Sequence, residues 1–294
     1  MKSILENQQP LLVLSAVVAL APVAHAQITG FNVDFNGADT TYTGNFVRSG
    51  DSAVGTTGLN WSADGGVGGS GGLVVTEISG RNIFYRPDPG DDTTSTFDLA
   101  AAAASFTTSI DFKWADTSAT DLSVITAGFV PANTSQTALT SSGALAGSII
   151  RNGTSTVTLR MRNGNANANT LDFNQTALTA GAWYRLSYEV TKSDTEGVFD
   201  YTISLFSIGA DGLSTPVLFN DGEKDITISG SVSNSVLYSD ENAFFAYDIR
   251  GGSNGISHVD NFFVGSAIPE PSAFAVIAGF GALATVGLRR RRSS

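Results

Sequence analysis

Between Trp183 and Val190 the chain alternates. Tyr184, Leu186, Tyr188 and Val190 fall on one side of an extended backbone, and Arg185, Ser187 and Glu189 fall on the other. Phe199, Tyr201, Ile203 and Leu205 repeat the pattern after the turn-forming stretch Lys192 to Gly197, so the two runs predict a hairpin. Val157, Leu159 and Met161 alternate within 156–162, as do Ile110, Phe112 and Trp114 against Asp111 and Lys113. Further strands are expected at 31–35, 73–78, 83–85, 121–129, 148–150, 217–219, 226–228, 243–250 and 258–264. Many short strands with one apolar face and polar turns predict an all-β fold: two antiparallel sheets packed as a β-sandwich. The alanine run within 99–105 is the one helical hint. The glycine-rich tract 65–72 reads as a mobile loop. It is not a nucleotide loop, because it lacks the Lys-Ser/Thr ending and no helical pattern follows it.

Both ends break this pattern. Lys2 precedes an apolar run from Leu11 to Ala21, and Ala24-His25-Ala26 supplies the small-x-small cleavage pattern of a secretory leader. At the other end Pro269, Glu270 and Pro271 form a segment that disfavours helix. An uncharged run from Ser272 to Leu288 follows, then Arg289, Arg290, Arg291 and Arg292. As a helix that run would reach about 26 Å, close to a hydrocarbon core. Its strongly apolar residues favour insertion by only about 2 to 4 kcal/mol, which suits a temporary hold. Clustered arginine keeps to the cytoplasmic side and leaves everything upstream outside. The chain thus divides into a signal peptide (1–26), a passenger (27–267) and a sorting tail (268–294).

The order of Pro-Glu-Pro, apolar span and terminal arginines resembles the PEP-CTERM sorting signal of Gram-negative bacteria. The resemblance implies export through the Sec machinery and transient anchoring in the inner membrane by a short C-terminal transmembrane helix. It also implies recognition of Pro269, Glu270 and Pro271 by an exosortase, with release or transfer to the cell surface or extracellular matrix.

Charge and composition narrow what the passenger does. Without Lys2, Glu6, Glu270 and the four tail arginines, 11 basic and 25 acidic residues remain, a net charge near −14. Such a surface repels phosphate backbones, and no nucleic-acid partner is expected. Cysteine is absent and one histidine, His258, remains in the mature chain, which removes thiol nucleophiles and poly-histidine zinc sites.

Trp183-Tyr184-Arg185-Leu186, Phe199-Asp200-Tyr201-Thr202-Ile203 and the closing His258 to Val264 look like strands of concanavalin-like or laminin G-like jelly rolls. The resemblance implies neighbouring first and last strands, with residues 33–35 near 259–261. No cofactor is expected beyond a structural calcium ion, for which the resemblance offers Asp34 and Asp260; two solvent-facing strand carboxylates are the alternative. A laminarinase-type hydrolase would present Glu-x-Asp-x-x-Glu. Glu223-Lys224-Asp225-Ile226-Thr227-Ile228 lacks the last acid, and no enzyme is expected. The resulting expectation is a structural or adhesive role in secreted exopolysaccharide. A carbohydrate-binding module, with Trp61 stacking on a sugar ring, is the alternative, and a glycosidase or lyase the remote one.

Overall fold

The computed structural model describes residues 31–33, 35, 47–50, 59–75, 78–86, 97, 99–100, 105–115, 123–131, 139, 143–151, 155–241, 243–251 and 255–266. The expectations at Ala24, Ala26, Asp34, Pro269, Glu270, Pro271 and Arg289 to Arg292 lie outside these residues, as does most of the alanine run.

Two antiparallel sheets face each other. The nine-stranded sheet is built on β6 (Ser105–Trp114), β11 (Trp183–Lys192), β12 (Val198–Gly209) and β16 (Ile256–Ser266). On the β12 side lie β13 (Val217–Leu218) and β14 (Thr227–Ser233). On the β16 side lie β1 (Phe31–Val33), β4 (Gly72–Val75) and, beyond it, β3 (Leu59–Ser62). The seven-stranded sheet runs in the order β10 (Ala166–Asn174), β9 (Thr156–Asn163), β8 (Leu145–Arg151), β7 (Ser123–Val130), β15 (Phe244–Gly251), β5 (Ile78–Arg86) and β2 (Val47–Gly50). One helical turn, α1 (Ser235–Tyr238), follows β14 and is capped by the Asn234 side chain.

The expected hairpin is β11–β12, paired from Trp183 opposite Gly209 to Lys192 opposite Phe199. The first and last strands do lie side by side, with Phe31 opposite Val264 and Val33 opposite Phe262.

Alternation decides what is buried. Ile110, Phe112, Tyr188, Leu186 and Ile203 from one sheet meet Val157, Leu159, Phe129, Phe245 and Tyr247 from the other. The rings interlock edge to face: Phe97 lies 5.7 Å from Phe129, Phe129 lies 5.0 Å from Phe245, and Phe245 lies 5.0 Å from Tyr247. Each such pair is worth about 0.5 to 1.5 kcal/mol beyond its buried area. Tyr247 also ties the sheets together. Its hydroxyl crosses the core to Thr108 Oγ1 (2.8 Å) and donates towards the Phe263 and Ser109 carbonyls.

Two expectations need correcting. The glycine-rich tract is a packed turn and not a mobile loop. Its 3-10 turn is held by Gly66 N–H to the Ser70 carbonyl (2.7 Å) and by Gly68 N–H to the Asp211 carbonyl (2.7 Å). Glycine is required for close approach, since a Cβ at Gly66 would sit 2.2 Å from the Gly71 carbonyl and 2.5 Å from Asp260 Oδ2. Second, Trp61, expected to stack on a sugar ring, belongs to β3 and is partly buried. Its ring packs against the core, and its Nε1 donates to the Phe35 carbonyl at 2.8 Å.

Candidate functional site: a groove on the outer face of the nine-stranded sheet

The residues that face away from the core on β6, β11, β12 and β16 build the site. Strand register places Asp111 opposite Arg185, and Arg185 opposite Phe206. One pleat further along, Phe263 stands opposite Ser109, Ser109 opposite Ser187, and Ser187 opposite Ser204. The outer face therefore carries a row of hydroxyls beside a row containing one ion pair.

A bulge in β16 re-aims this face. Asp260 pairs with Asp111 and Phe263 with Ser109, so β16 uses one residue more than β6 over the same span. Asn261 absorbs the irregularity with φ of 50°, a region that Asn tolerates better than most residues. Asp260 and Asn261 consequently share the outer side, Phe262 enters the core at 0 % exposure, and Phe263 emerges at 37 %.

The ion pair is geometrically strong. Arg185 Nε reaches Asp111 Oδ1 at 2.6 Å and Nη2 reaches Oδ2 at 2.8 Å, while Asn261 Nδ2 also donates to Oδ2 at 2.9 Å. Asp111 is fully buried and Arg185 about one-third exposed. The hydrogen bonds to Asp111 raise the Arg185 pKa above its ordinary value, against the opposing effect of burial. The planar fork is thus fixed in one orientation.

Asp260, offered by the resemblance as a calcium ligand, is engaged by hydrogen bonds within the fold. Its Oδ2 accepts from Val67 N–H (2.8 Å) and lies 3.3 Å from Ser70 Oγ, and its Oδ1 accepts from Asn261 N–H (2.7 Å). It pins the glycine-rich turn to the sheet. Burial pushes its pKa up to about 7, with these hydrogen bonds pulling the other way and Asp111 adding to the rise. Donors already address both oxygens, and Asp34, its expected companion at a calcium ion, lies outside the described residues. Among the described residues no group of three or more His, Asp or Glu assembles that could hold a metal ion.

Above these strands opens a groove of about 630 Å³ lined by Thr107, Ser109, Arg185, Ser187, Phe206, Pro216, Asn261 and Phe263. That volume lies within the range of roughly 300 to 1,000 Å³ usual for small-molecule sites. Trp61 is not among its walls. Of the other tryptophans, Trp114 is a core residue. Trp183 is buried too, but on the outer face, against Gly212 and the His258 ring.

No known family matches the chain. No curated protein matches it either. Among solved structures, lectin II from Ulex europaeus is similar at 14 % identity over 81 % of this chain and 98 % of that one, with a TM-score of 0.47. Arcelin-5, a lectin-like defense protein from Phaseolus vulgaris, is 13 % identical over 83 % and 100 %, at 0.45. The globular domain of T. cruzi calreticulin is 13 % identical over 88 % and 95 %, at 0.46.

Residues 111, 185 and 263 were visible in the sequence only as members of strand patterns. What joins them is pairing between strands far apart in the chain. The one local signal was Asp260-Asn261 ahead of two successive phenylalanines, where a strict period of two fails.

Proposed function

We propose that this chain is an exported, non-catalytic protein that contacts glycans through the groove on its nine-stranded sheet. One observation carries the reading: short hydroxyl side chains at 107, 109 and 187 share one groove with the rings of Phe206 and Phe263, beside a guanidinium locked by a buried carboxylate. Sugars ask for that combination, apolar faces for their C–H surfaces and fixed polar groups for their hydroxyls. Chemistry on the sugar is disfavoured by the state of the acids. Asp111 and Asp260 are neighbours, and Asp260 has the raised pKa of a general acid, yet exposure is 0 % and 1 % and neither lines the groove. Asp225, in the tract nearest to a hydrolase pattern, accepts from Asn220 Nδ2 beside a surface turn.

The leader and the Pro-Glu-Pro tail supply the rest of the proposal: Sec export, an anchored intermediate, exosortase processing, and an adhesive role in extracellular polysaccharide. On a glycan array the mature protein is expected to bind, and Phe263→Ala to bind about tenfold more weakly while keeping its β-sheet circular dichroism. Binding undiminished by Phe263→Ala would place the glycan elsewhere. Reducing sugar released from a polysaccharide panel would make the protein an enzyme.

A further inference from the structure

The groove holds an unusual amount of unengaged polar capacity. Of the five N–H donors of Arg185, the one on Nε and one on Nη2 meet Asp111, leaving three without a partner among the described residues. Among the described residues Thr107, Ser109 and Ser187 make no side-chain hydrogen bond, and Asn261 engages only its Nδ2 and leaves its Oδ1 open. These groups are partly exposed in the groove. A polar set with both donors and acceptors, arrayed on rigid strands, is preorganised for a ligand that also offers both.

Charge and spacing narrow that ligand. The single guanidinium in the groove is cancelled by a carboxylate at 2.6 Å, so the groove has no free cation to attract an acid group. The chain as a whole carries −11, and Glu189 and Asp200 project from the same face. An acidic polymer would approach against this field. Spacing adds a second constraint. Phe263 on β16 and Phe206 on β12 are separated by β6 and β11 and offset by two residues along the strands, or about 16 Å at about 4.8 Å per strand step and about 3.4 Å per residue. One step is close to the advance per ring of an extended β-linked glycan.

We propose that the groove takes a neutral, extended, β-linked oligosaccharide laid across the strands, spanning from the Phe263 ring over Ser109, Ser187 and Arg185 to the Phe206 ring. This rests on the glycan reading above and adds the sugar class, the direction and the length. About three rings fill the distance, with an aromatic contact at each end.

The test is calorimetric titration of the mature protein with β-1,4-linked glucose and mannose oligomers, from the monosaccharide to the hexasaccharide, against hexagalacturonate. Affinity is expected to rise steeply up to the trisaccharide and then level. Hexagalacturonate should bind at least about tenfold more weakly than the neutral hexasaccharides, a difference of about 1.4 kcal/mol. Added salt should leave neutral binding unchanged. Phe206→Ala and Phe263→Ala should each weaken the trisaccharide by about tenfold, while double substitution leaves all lengths binding alike. Monosaccharide binding as tight as the hexasaccharide would overturn the proposal and leave the glycan reading intact. The same holds for a salt-sensitive preference for hexagalacturonate, or for glycan-array binding confined to sugars outside the neutral β-linked series. Absence of binding to every saccharide on the array would remove both.

Discussion

Asp111 and Asp260 stand opposite each other on adjacent strands, and the fold treats them differently. Asp111 has a guanidinium and an amide for partners, whereas Asp260 has neutral donors only. Burial of Asp260 favours its protonated form, and the hydrogen bonds from Val67, Asn261 and Ser70 oppose this without cancelling it. With a folded pKa raised from 3.8 to about 7, Asp260 holds a proton in the fold over a window where the unfolded chain has released it. The contribution to stability is therefore complete below about pH 4 and is lost as pH rises through about 7. Asp260→Asn removes the titration. Its urea midpoint should lack the part of the decline between those values that wild type shows, measured as the difference between the two profiles. Parallel profiles would mean that Asp260 is charged throughout, held by Val67 and Asn261.

At the scale of elements, alternation was legible wherever one side of a strand meets the core, as in β6, β9, β11 and β12. It failed where a strand has no buried side to advertise. β10 reads Ala166-Asn-Ala-Asn-Thr-Leu-Asp-Phe-Asn, is mostly exposed and pairs only with β9 among the strands, so no period marks it. The glycine tract misled for the opposite reason: glycine permits mobility and close packing alike, and composition does not say which. Here the two uses separate by position. At Gly66 φ is −99°, ordinary for any residue, but an added Cβ meets the Gly71 carbonyl and Asp260. At Gly69 φ is 77° and nothing lies within 4 Å of an added Cβ. Gly66→Ala should therefore cost about 1 to 3 kcal/mol as overpacking, and Gly69→Ala only about 1 kcal/mol as backbone strain. Urea denaturation gives both values. Gly66→Ala should also expose the Val67 amide to faster hydrogen exchange, because the clash lies where Asp260 holds the turn. Equal costs with unchanged exchange at Val67 would restore the picture of a loose loop.

For the whole molecule, a chain without cysteine draws its stability from a large two-sheet core, with Tyr247 crossing between the sheets. Among the described residues no helix is long and apolar enough to cross a membrane. In the proposed sorting route the hold on the bilayer is the uncharged run from Ser272 to Leu288, and the Pro-Glu-Pro motif follows in sequence the last described strand, β16, which ends at Ser266. Cleavage at that motif would leave the strand pairing of the sandwich intact. Processing should accordingly depend on the motif and be indifferent to the groove. Glu270→Ala is expected to leave full-length protein in the membrane fraction, short only of its leader, with the groove still binding glycan. Phe263→Ala should be released normally, and its intact mass in the culture fluid should show both ends removed. Release of Glu270→Ala at the wild-type mass would detach the motif from processing. Retention of Phe263→Ala would mean that sorting reads the folded passenger as well as its tail.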